Sequence, residues 1–463
     1  MDPAPAVPLD ESLLDRLRDH LDDAGLVTDP ERLAAYETDE LDLFHGRPAA
    51  VLRPDSRESL VAIVRTLAEA GVAFVPRGAG SGLAGAAVPT EGLIVSTERL
   101  DRILELDPVE RTATVEPGVI TESISEAAEP HGLEYLPDPA SQGFCSIGGN
   151  VAMNAGGPHC LKHGVTTDHV LELEIVTPEG QVLTLDRGES GGLDLAGAFI
   201  GSEGTLGIAT RIEVRLVPHT PAVRTVLALY DELADAGAAV SAILGTGVVP
   251  VAMEIIDRAT LEAVEASPHA AGLPTDVAAA LLVECQGLEE EVDEELFAVA
   301  GALEGTGARE ILAATDEGQR TRLWKARRQA YHALEPLARN VVIQDAVVPR
   351  TALPELLPRI QEVASEHGLR VVNFFHAGDG NLHPNIPFDG ADPDEVERVH
   401  AATEEIMRMC VDAGGTITGE HGVGLDKKKH MRLIFSDAEL ELQRALKGAL
   451  DPVGLANPGK MLP

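Results

Sequence analysis

Two short segments near the C-terminal end of the chain carry residue types suited to metal chemistry. The sequence NFFHAGDGNLHPNI holds His376 and His383 on either side of a Gly-Asp-Gly turn, and the sequence GEHGVG places Glu420 beside His421. Two imidazoles and one carboxylate are a usual partial shell for a divalent ion that keeps positions open for a substrate. A further histidine beside such an ion is a ready proton acceptor. The chain is therefore predicted to act on a small molecule that chelates a metal ion.

A short hairpin is predicted to bring the two histidines together. The sequence VVNFFH reads as a strand that ends at His376, and His383 begins the following segment. Asp379, in the turn, is expected to cap the turn rather than to bind the ion. Glu420 and His421 are neighbours, so their side chains are expected to point to different sides of the backbone. For any single histidine a surface or packed position is the ordinary interpretation, but four groups in two glycine-flanked segments favour a site.

Three glycine-rich segments lie in the N-terminal half and read PRGAGSGLAGAAVP, PDPASQGFCSIGGNVAMNAGG and GSEGTLGI. The first contains a formal G-x-G-x-x-G pattern, but Pro89 and Gly92 leave the next segment too short for the helix of a Rossmann site. Its successive N–H groups can instead hold phosphates, with Arg77 adding charge; a tight linker is the alternative. Because each glycine carries an entropic cost, three such segments predict a large, flat, multi-phosphate cofactor.

Helices and short strands must hold these motifs in place. Amphipathic patterns predict helices over residues 11–24, Arg57–Ala70 and Asp392–Ala413. Short strands and turns predict one α+β domain up to about residue 218, and strands that alternate with acidic helices after it predict an α+β cap with an antiparallel sheet. The predicted domains are an N-terminal helical segment (1–46), a cofactor-binding domain (47–218), a substrate and metal domain (219–420) and a C-terminal segment (421–463).

Composition restricts the class of protein. The chain has 463 residues, which is enough for two or three domains, and a formal net charge of −40. Seven lysines stand against 29 arginines, and the acidic residues are spread along the whole length. Such a surface repels nucleic acid and anionic lipid, so neither is an expected partner. It stays soluble at high salt, which predicts a halophilic source; an acidic mesophilic enzyme is the alternative.

Cysteine usage and apolar runs bear on compartment. The four cysteines are far apart and form no C-x-x-C pair, so an iron–sulfur cluster, a zinc knuckle and a disulfide scaffold are not expected. The N-terminal sequence lacks the basic and apolar regions of a signal peptide, and no apolar run approaches the roughly 18 residues of a membrane span. We expect a cytoplasmic protein; a peripheral position at the inner face of the membrane and a homodimer stay open.

The three glycine segments, in this order and spacing, resemble the FAD-binding domain of the vanillyl-alcohol oxidase/p-cresol methylhydroxylase (PCMH) superfamily. HAGDGNLHPNI, GEHGVG and the terminal NPGKMLP resemble the branch that holds D-lactate dehydrogenases, D-2-hydroxyglutarate dehydrogenases and the flavin subunit of glycolate oxidase. The resemblance implies an α+β fold: a PCMH-type FAD-binding domain of two subdomains, an α+β cap with an antiparallel sheet, and a C-terminal segment that returns to the flavin. It implies FAD, bound non-covalently because residues 76–90 contain no histidine or cysteine.

The resemblance also implies roles for individual residues. The pyrophosphate is expected on the first glycine loop, and the flavin and ribityl chain along the other two segments and the returning C-terminus. The implied cofactor residues are Pro76, Arg77, Gly78, Ala79, Gly80, Ser81, Gly82, Pro137, Ser146, Gly149, Asn150, Asn154, Gly157, Glu203, Gly204, Ile208 and Asn457. His163 stands where relatives usually have a tyrosine, a departure to which we assign no effect.

The expected reaction is the oxidation of a 2-hydroxy acid. Such a substrate can chelate the ion through its hydroxyl and one carboxylate oxygen, and the ion acidifies the hydroxyl. His421 accepts a proton as the electrons of the C–H bond pass to the flavin, which leaves a 2-oxo acid. The resemblance adds D stereochemistry. The site residues that it implies are His376, His383 and Glu420 for zinc or another divalent ion, Asn385 near the substrate, and Arg327 on the substrate carboxylate.

The sequence leaves alternatives for the substrate, for the electron acceptor and for the class of protein. Members that use dicarboxylates carry a further lysine before VVP; the sequence NVVIQDAVVP lacks it, which favours D-lactate or glycolate over 2-hydroxyglutarate. Arg327 could be an exposed helix arginine. Lys427–Lys429 is interpreted as a solvated patch, with a position near an anionic substrate as the alternative. Electrons are expected to pass to a quinone, an electron-transfer flavoprotein or a partner subunit. The competing functions are a flavin subunit of a multi-subunit glycolate oxidase, a flavin-free metallohydrolase and a non-catalytic binding module.

Overall fold

The structure is a computed structural model that describes residues 11–90, 92–188, 191–334 and 336–463. The chain forms two compact units, and each combines helices with β-sheets. The first unit holds the described residues as far as Gly156, together with Val165–His219 and Glu420–Pro463. The second unit holds Gly157–Gly164 and Thr220–Gly419. The C-terminal residues from Glu420 thus belong with the N-terminal half of the chain.

The first unit contains two larger sheets. Its described strands are β1 (Leu26–Val27), β2 (Ala50–Leu52), β3 (Phe74–Arg77), β4 (Leu93–Ser96), β5 (Ile103–Asp107), β6 (Thr112–Val115), β7 (Leu133–Glu134), β8 (Val170–Val176), β9 (Val182–Asp186), β10 (Ile208–Arg215) and β11 (Val217–Pro218). One sheet has the order β1-β2-β4-β3, in which β2, β4 and β3 are parallel. The other is antiparallel with the order β5-β6-β10-β8-β9, and β7 pairs with β11.

Two helices of the first unit, Glu11–Arg18 and Arg57–Ala70, share a hydrophobic core with β2, β3 and β4. The helices of this unit are Glu11–Arg18, Pro30–Leu33, Arg57–Ala70, Thr121–Ala128, Ile147–Met153, Thr166–His169, Leu195–Phe199 and Asp437–Leu450, with 3₁₀ turns at Ala34–Tyr36, Glu129–His131 and Lys428–Leu433. The helix predicted over Arg57–Ala70 is confirmed with the same bounds, and both of its ends are capped. Ser56 accepts a hydrogen bond from the N–H of Ser59, and Gly71 ends the helix with a φ of +64°.

The predicted helix over residues 11–24 is too long. The helix ends at Arg18, and the N–H groups of His20 and Leu21 bond three residues back rather than four. The Asp22 carboxylate accepts a hydrogen bond from the N–H of Ala24, so a local side-chain acceptor competes with the helical pattern.

The second unit is built on antiparallel strands, as predicted. Its described strands are β12 (Ala222–Tyr230), β13 (Ala252–Asp257), β14 (Ala279–Gly287), β15 (Glu310–Ala313), β16 (Asn340–Ile343), β17 (Ala346–Val347), β18 (Val372–His376), β19 (Asn381–Leu382) and β20 (Pro384–Phe388). The main path runs β15-β12-β14-β13-β18-β19-β17, and β20 joins β18 to β16. Its helices are Cys160–His163, Leu233–Gly245, Arg258–Glu265, Glu289–Gly305, Glu317–Arg328, Leu353–Glu366 and Pro393–Asp412, with a 3₁₀ turn at Arg350–Ala352.

The second unit contains a helix that was predicted from the sequence and a buried strand that carries two acidic residues. The helix Pro393–Asp412 confirms its prediction: Asp392 caps its N-terminus, and Val399, Ala402 and Ile406 lie on its buried face. Every residue of β13 is buried although its sequence, AMEIID, contains two acidic residues. Buried carboxylates need partners, so these strands must carry polar contacts inside the core.

No described helix combines the length and the apolar character that a membrane crossing requires.

Candidate functional site

The first two glycine-rich segments meet in the first unit. Ser146 caps the helix Ile147–Met153, and its hydroxyl accepts hydrogen bonds from the N–H of Gly149 and from the N–H of Ala79, both at 3.3 Å. A Cβ at position 78 would overlap the Ser146 hydroxyl. Glycine at position 78 therefore lets the first loop approach the start of this helix. The described residues after β3 form a loop without a helix, which agrees with the rejection of a Rossmann site.

The third glycine-rich segment closes on the same region. The N–H of Glu203 donates to the carbonyl oxygen of Ala152 at 2.8 Å, near the end of the helix that Ser146 caps. The next residue, Gly204, has a φ of +71° and lies against Pro76, where a Cβ would stand 3.1 Å from the proline ring. All three glycine segments thus converge on the start of the first loop.

The C-terminal segment completes this arrangement. The N–H of Asn457 donates to the carbonyl oxygen of Phe74 at 2.8 Å, just before the loop. Its side-chain amide donates to the carbonyl oxygens of Ala86 at 3.0 Å and of Glu203 at 2.6 Å. One buried side chain therefore joins the C-terminus to the first and third segments. We call the three glycine segments and Asn457 the glycine cradle.

Three buried charged residues, Arg77, Lys460 and Asp39, make hydrogen bonds to the backbone in and around the first loop. The Arg77 guanidinium donates to the carbonyl oxygens of Thr38 at 2.8 Å and Ala87 at 3.2 Å, so its Nη1 is used within the fold. Lys460 donates to loop carbonyl groups as well, and burial lowers its pKa to about 8. Burial raises the pKa of Asp39, which accepts a hydrogen bond from the N–H of Gly85, to about 6.

The cradle fits a phosphate-bearing cofactor. Within the described chain, the N–H groups of Gly80, Ser81 and Gly82 donate no hydrogen bond, and a Cβ at Gly82 would meet no atom within 4 Å. Successive backbone amide donors that the fold leaves unused are the arrangement that holds an anion.

The other residues expected to hold the cofactor are distributed as follows. Pro137 is buried and lies in the chain between β7 and the capped helix, and Ile208 begins β10. Within the capped helix, Asn150 donates to the Thr121 hydroxyl. Asn154 ends that helix with a φ of +53° and accepts a hydrogen bond from the N–H of Thr167. Gly157 belongs to the second unit, where its N–H donates to the Cys160 sulfur at 2.9 Å. Apart from Gly157, the residues expected to hold the cofactor all lie in the first unit.

The second unit holds the predicted histidine hairpin. His376 ends β18, and His383 follows β19 directly. Asp379 accepts a hydrogen bond from the N–H of Asn381 at 3.1 Å, as expected for a turn cap. The two imidazole rings lie nearly perpendicular, with centroids 5.2 Å apart. The hairpin therefore brings both rings to one place.

Buried acceptors fix both imidazoles in the same tautomer. Nδ1 of His376 lies 2.7 Å from a carboxylate oxygen of Glu254. Burial raises the pKa of Glu254, but the nearby His376 and Arg327 outweigh it, so the pKa stays below its usual value and the ionised group can only accept. Nδ1 of His383 lies 3.0 Å from the carbonyl oxygen of Gln344. Each neutral ring then carries its proton on Nδ1 and offers Nε2 as a ligand, so the donor set fits a divalent ion.

Asp345 was missed from the sequence. It is fully buried, and one of its oxygens accepts hydrogen bonds from the Thr418 hydroxyl at 2.5 Å and from the N–H of Gly419 at 3.0 Å. Its other oxygen lies 3.9 Å from Nδ1 of His383. The segment of the second unit that leads directly into Glu420 is thus held beside the hairpin.

Glu420 and His421 begin the last part of the first unit. Their side-chain atoms Oε1 and Nε2 lie 3.8 Å apart, so the expectation that the two side chains point to different sides is wrong. A tight GVG turn follows, in which the N–H groups of Val423 and Gly424 donate to the Glu203 carboxylate at 2.6 and 2.7 Å. Burial raises the pKa of Glu203.

Lys427 corrects a second interpretation. Its side chain is only 1% exposed, so the reading of Lys427–Lys429 as a solvated patch is wrong for this residue. Its ammonium group donates to the carbonyl oxygen of Gly422 and interacts with the buried charge of Glu203. A buried ammonium is tolerated where a carboxylate and carbonyl groups surround it.

Arg327 and Asn385 are both engaged inside the second unit. Arg327 donates through Nε to Glu254 at 2.5 Å and lies 5.3 Å from the Phe374 ring centroid, which excludes the alternative of an exposed helix arginine. Asn385 is fully buried, and its amide nitrogen donates to the carbonyl oxygens of Val372 and His383. Its buried Oδ1 accepts no hydrogen bond from the residues that the structure describes.

Glu254, Gln344 and Asp345 are the functional candidates that sequence reasoning did not find. A signal existed for each. Glu254 is an acidic residue inside the otherwise apolar stretch VAMEII, and the pair Gln344-Asp345 interrupts the apolar run NVVIQDAVVP. A buried polar residue requires a partner. Glu254 pairs with His376, Asp345 accepts from Thr418 and Gly419, and Gln344 contacts His383 through its backbone carbonyl oxygen.

Comparison with known proteins identifies the family. A family model described as FAD linked oxidases, C-terminal domain, matches residues 220–461, and one described as FAD binding domain matches residues 48–186. The chain belongs to the FAD-linked oxidases. It is 42% identical to glycolate oxidase subunit GlcD of Escherichia coli K12, over 98% of this chain and 91% of that protein. It is 33% identical to a D-lactate dehydrogenase of Archaeoglobus fulgidus, over 92% and 95% of the two chains.

Solved structures confirm the fold. The structure of p-cresol methylhydroxylase with substrate bound superposes with a TM-score of 0.82, at 17% identity, over 97% of this chain and 96% of that one. The α+β, PCMH-type architecture expected from the sequence is therefore confirmed. The chain is an FAD-linked oxidoreductase, which removes the flavin-free metallohydrolase and the non-catalytic binding module as alternatives.

Proposed function

We propose that this FAD-linked oxidoreductase oxidises a D-2-hydroxy acid to the 2-oxo acid with the help of a divalent ion, zinc being favoured, held by His376, His383 and Glu420. The observation that carries the proposal is the hairpin, in which two imidazoles 5.2 Å apart are both fixed through Nδ1 by buried acceptors. The names of two relatives, for glycolate and for D-lactate, support these two substrates.

The chain's own residues divide the work. FAD, when bound, supplies the acceptor for two electrons, and the divalent ion supplies a Lewis acid for the substrate hydroxyl. His421 accepts the hydroxyl proton, and its Nε2 lies 3.8 Å from Oε1 of the proposed metal ligand Glu420. Asn385 offers its buried Oδ1 to the substrate, and Arg327 offers the outer nitrogens that Glu254 does not use to the substrate carboxylate.

The glycine cradle is proposed to hold FAD without a covalent bond. The amide groups of the first loop would hold the pyrophosphate, and Ser146, Gly149, Asn150, Asn154, Gly157 and Ile208, with the third segment and Asn457, would lie along the ribityl chain and flavin. The support is the convergence of these segments, in which Gly78 and Gly204 remove side chains that would keep the backbone apart.

The decisive experiment is anaerobic reduction of the bound flavin. Purified protein is mixed without oxygen with D-lactate, glycolate, D-2-hydroxyglutarate or L-lactate, and the flavin band at about 450 nm is followed. D-lactate or glycolate should bleach the band fastest, and L-lactate should leave it unchanged. Rapid bleaching by L-lactate, or none by any D-2-hydroxy acid or glycolate, would overturn the proposal.

A second candidate is the flavin subunit of a multi-subunit glycolate oxidase. The identity of 42% to a glycolate oxidase subunit over 98% of the chain favours it. Both candidates share the same half-reaction, so they differ only in the electron acceptor. Steady turnover of the isolated chain with a soluble quinone supports the self-sufficient dehydrogenase. Bleaching by glycolate without turnover, with turnover restored by partner subunits, supports the subunit.

We also propose that the chain works at high salt. Its net charge of −40 is distributed over exposed elements, such as the first turn of the helix Glu289–Gly305, which begins with three consecutive glutamates. Screening of this self-repulsion should raise the thermal midpoint between 0.1 and 2 M KCl. A midpoint that does not rise with salt would argue for an acidic mesophilic enzyme.

A further inference from the structure

Glu254 occupies an unusual position in the second unit. It lies on β13, is fully buried, and faces two different partners with its two carboxylate oxygens. One oxygen is 2.7 Å from Nδ1 of His376, and the other accepts a hydrogen bond from Nε of Arg327 at 2.5 Å. A buried carboxylate between a histidine and an arginine is a charge-assisted arrangement of defined geometry.

The strand pairing makes this contact rigid. β13 and β18 are antiparallel neighbours, and Glu254 stands directly opposite His376 in their register. Two positions along, Ile256 stands opposite Phe374, whose ring lies under the Arg327 guanidinium. The sheet therefore sets the distance between the carboxylate and the imidazole, and the arginine is held by a ring on the same strand as the histidine.

A longer contact between Arg327 and His376 competes with the contact between Glu254 and His376. Nη2 of Arg327 lies 3.5 Å from the same Nδ1 of His376 that Glu254 approaches at 2.7 Å. Guanidinium groups only donate, and an Nδ1 that donates to Glu254 cannot also accept from Arg327. The shorter contact with the carboxylate therefore decides the tautomer, with the proton on Nδ1 and the lone pair on Nε2.

We propose that Glu254 is a positioning residue that sets the affinity of His376 for the divalent ion, and that Arg327 holds the Glu254 carboxylate in place. The inference rests on the proposed function, since His376 must be a metal ligand. A carboxylate behind a ligating imidazole fixes the ring and raises its basicity, and loss of such a partner typically weakens metal binding by about 10- to 100-fold. Arg327 thus serves the site through Glu254 in addition to any contact with substrate.

The neighbouring strand supplies a matched control. Glu284, on β14, is also buried, at 1% exposure, and is also paired with an arginine, since both its oxygens accept from Arg320 at 2.9 Å. It accepts further hydrogen bonds from Trp324 and Thr225. These hydrogen-bond partners do not include His376 or His383, so the loss of Glu284 tests burial and ion pairing apart from the hairpin.

The test measures Zn²⁺ affinity of the FAD-containing protein by competition with a chromophoric chelator. Glu254→Gln should weaken Zn²⁺ binding by about 10- to 100-fold. Glu284→Gln should keep the affinity within about 2-fold, even where it lowers stability, since it leaves both imidazole partners in place. With Co²⁺ as the probe, the visible absorption bands should shift in Glu254→Gln and stay unchanged in Glu284→Gln. Wild-type Zn²⁺ affinity and Co²⁺ bands in Glu254→Gln would overturn the inference.

A second variant guards against misfolding. Glu254→Gln leaves the buried Arg327 without its partner, which is strongly destabilising in many proteins. The double variant Glu254→Gln/Arg327→Met removes the ion pair as a unit and should fold while still binding Zn²⁺ more weakly than wild type. Arg327→Met alone keeps the carboxylate opposite His376 and should lose less affinity than either. A double variant with wild-type affinity would contradict the inference.

The same assay separates this inference from the proposed function. The variant His376→Ala/His383→Ala should lose the high-affinity Zn²⁺ site altogether. If it binds Zn²⁺ like wild type, the hairpin is not the metal site, and both proposals fall. If the histidines are required but Glu254→Gln binds Zn²⁺ like wild type, the metal site stands and only the positioning role of Glu254 is overturned.

Discussion

The glycine cradle of the first unit and the histidine hairpin of the second are built in opposite ways. The cradle depends on missing side chains: at Gly78 and Gly204 the backbone approaches Ser146 and Pro76 more closely than other residues would allow. The hairpin depends on side chains, because each imidazole is fixed by a buried acceptor from another strand or loop. One site is therefore sensitive to added volume, and the other to lost charge and hydrogen bonds.

The difference has a consequence for how each site is encoded. A backbone cradle needs glycines at fixed local spacing, and such spacing is visible in a single sequence. A side-chain site needs partners that only the fold brings near: Glu254 is more than a hundred residues from His376 in the chain. Variants that separate cofactor binding from metal binding and catalysis can test this contrast.

The largest effect is expected where the proposed chemistry is removed while the cradle stays intact. His421→Ala should lower kcat by about 10²- to 10⁴-fold, because the proton acceptor is lost, with FAD content unchanged. Stopped-flow flavin reduction and the absorbance ratio of flavin to protein measure the two quantities. His45→Ala, at an exposed histidine of the same unit, is the control and should be neutral. Full activity in His421→Ala would contradict the assignment.

Removal of the divalent ion should abolish the hairpin's contribution to turnover and leave FAD bound in the cradle. Treatment with a strong chelator should lower turnover by about 10²- to 10³-fold, since a Lewis acid is worth several kcal/mol. The bound flavin should remain oxidised and in place, which its visible spectrum reports. Restored turnover on adding Zn²⁺ is the control. Undiminished turnover in the chelator would remove the ion from the mechanism.

Added volume should damage the cradle and spare the hairpin. Gly78→Ala forces a Cβ against Ser146, and overpacking of about 1–3 kcal/mol should weaken FAD binding by about 5- to 150-fold. FAD titration of the apoprotein measures this, and the Zn²⁺ affinity should not change. Gly448→Ala, in a helix with no atom within 4 Å of the added Cβ, is the matched control. Equal FAD affinities in both variants would show that close approach at position 78 is unimportant.

The smallest effect concerns a buried carboxyl beneath the cradle loop. Burial raises the pKa of Asp39 from its ordinary 3.8 to about 6, so the folded chain binds the extra proton between these values. The stability that this carboxyl contributes is present below pH 3.8 and is lost as the pH rises through 6. The free energy of unfolding of wild type relative to Asp39→Asn should thus fall by at most about 3 kcal/mol from pH 4 to 7. Urea unfolding at several pH values measures the difference, and a relative stability that rises with pH would contradict it.

Local signals were sufficient for several elements. The helix Arg57–Ala70 was predicted to the residue because its pattern stops at Gly71, and the hairpin was predicted because strand, turn and strand follow one another directly. The end of the first helix was wrong because Asp22 offers a competing acceptor that periodicity does not register. Lys427 was misread because a lysine run gives no sign of the buried Glu203 with which it interacts.

The sequence by itself determined the positions of the cradle glycines, the histidine pair and the family to which these motifs belong, because each depends on residues close together in the chain. Only the tertiary structure decided which buried acceptors fix the imidazoles, that Arg327 is paired with Glu254, and that Asp345 holds the segment before Glu420. The physical reason is that a buried polar group must find a partner, and in this fold the partner comes from a strand or loop remote in sequence.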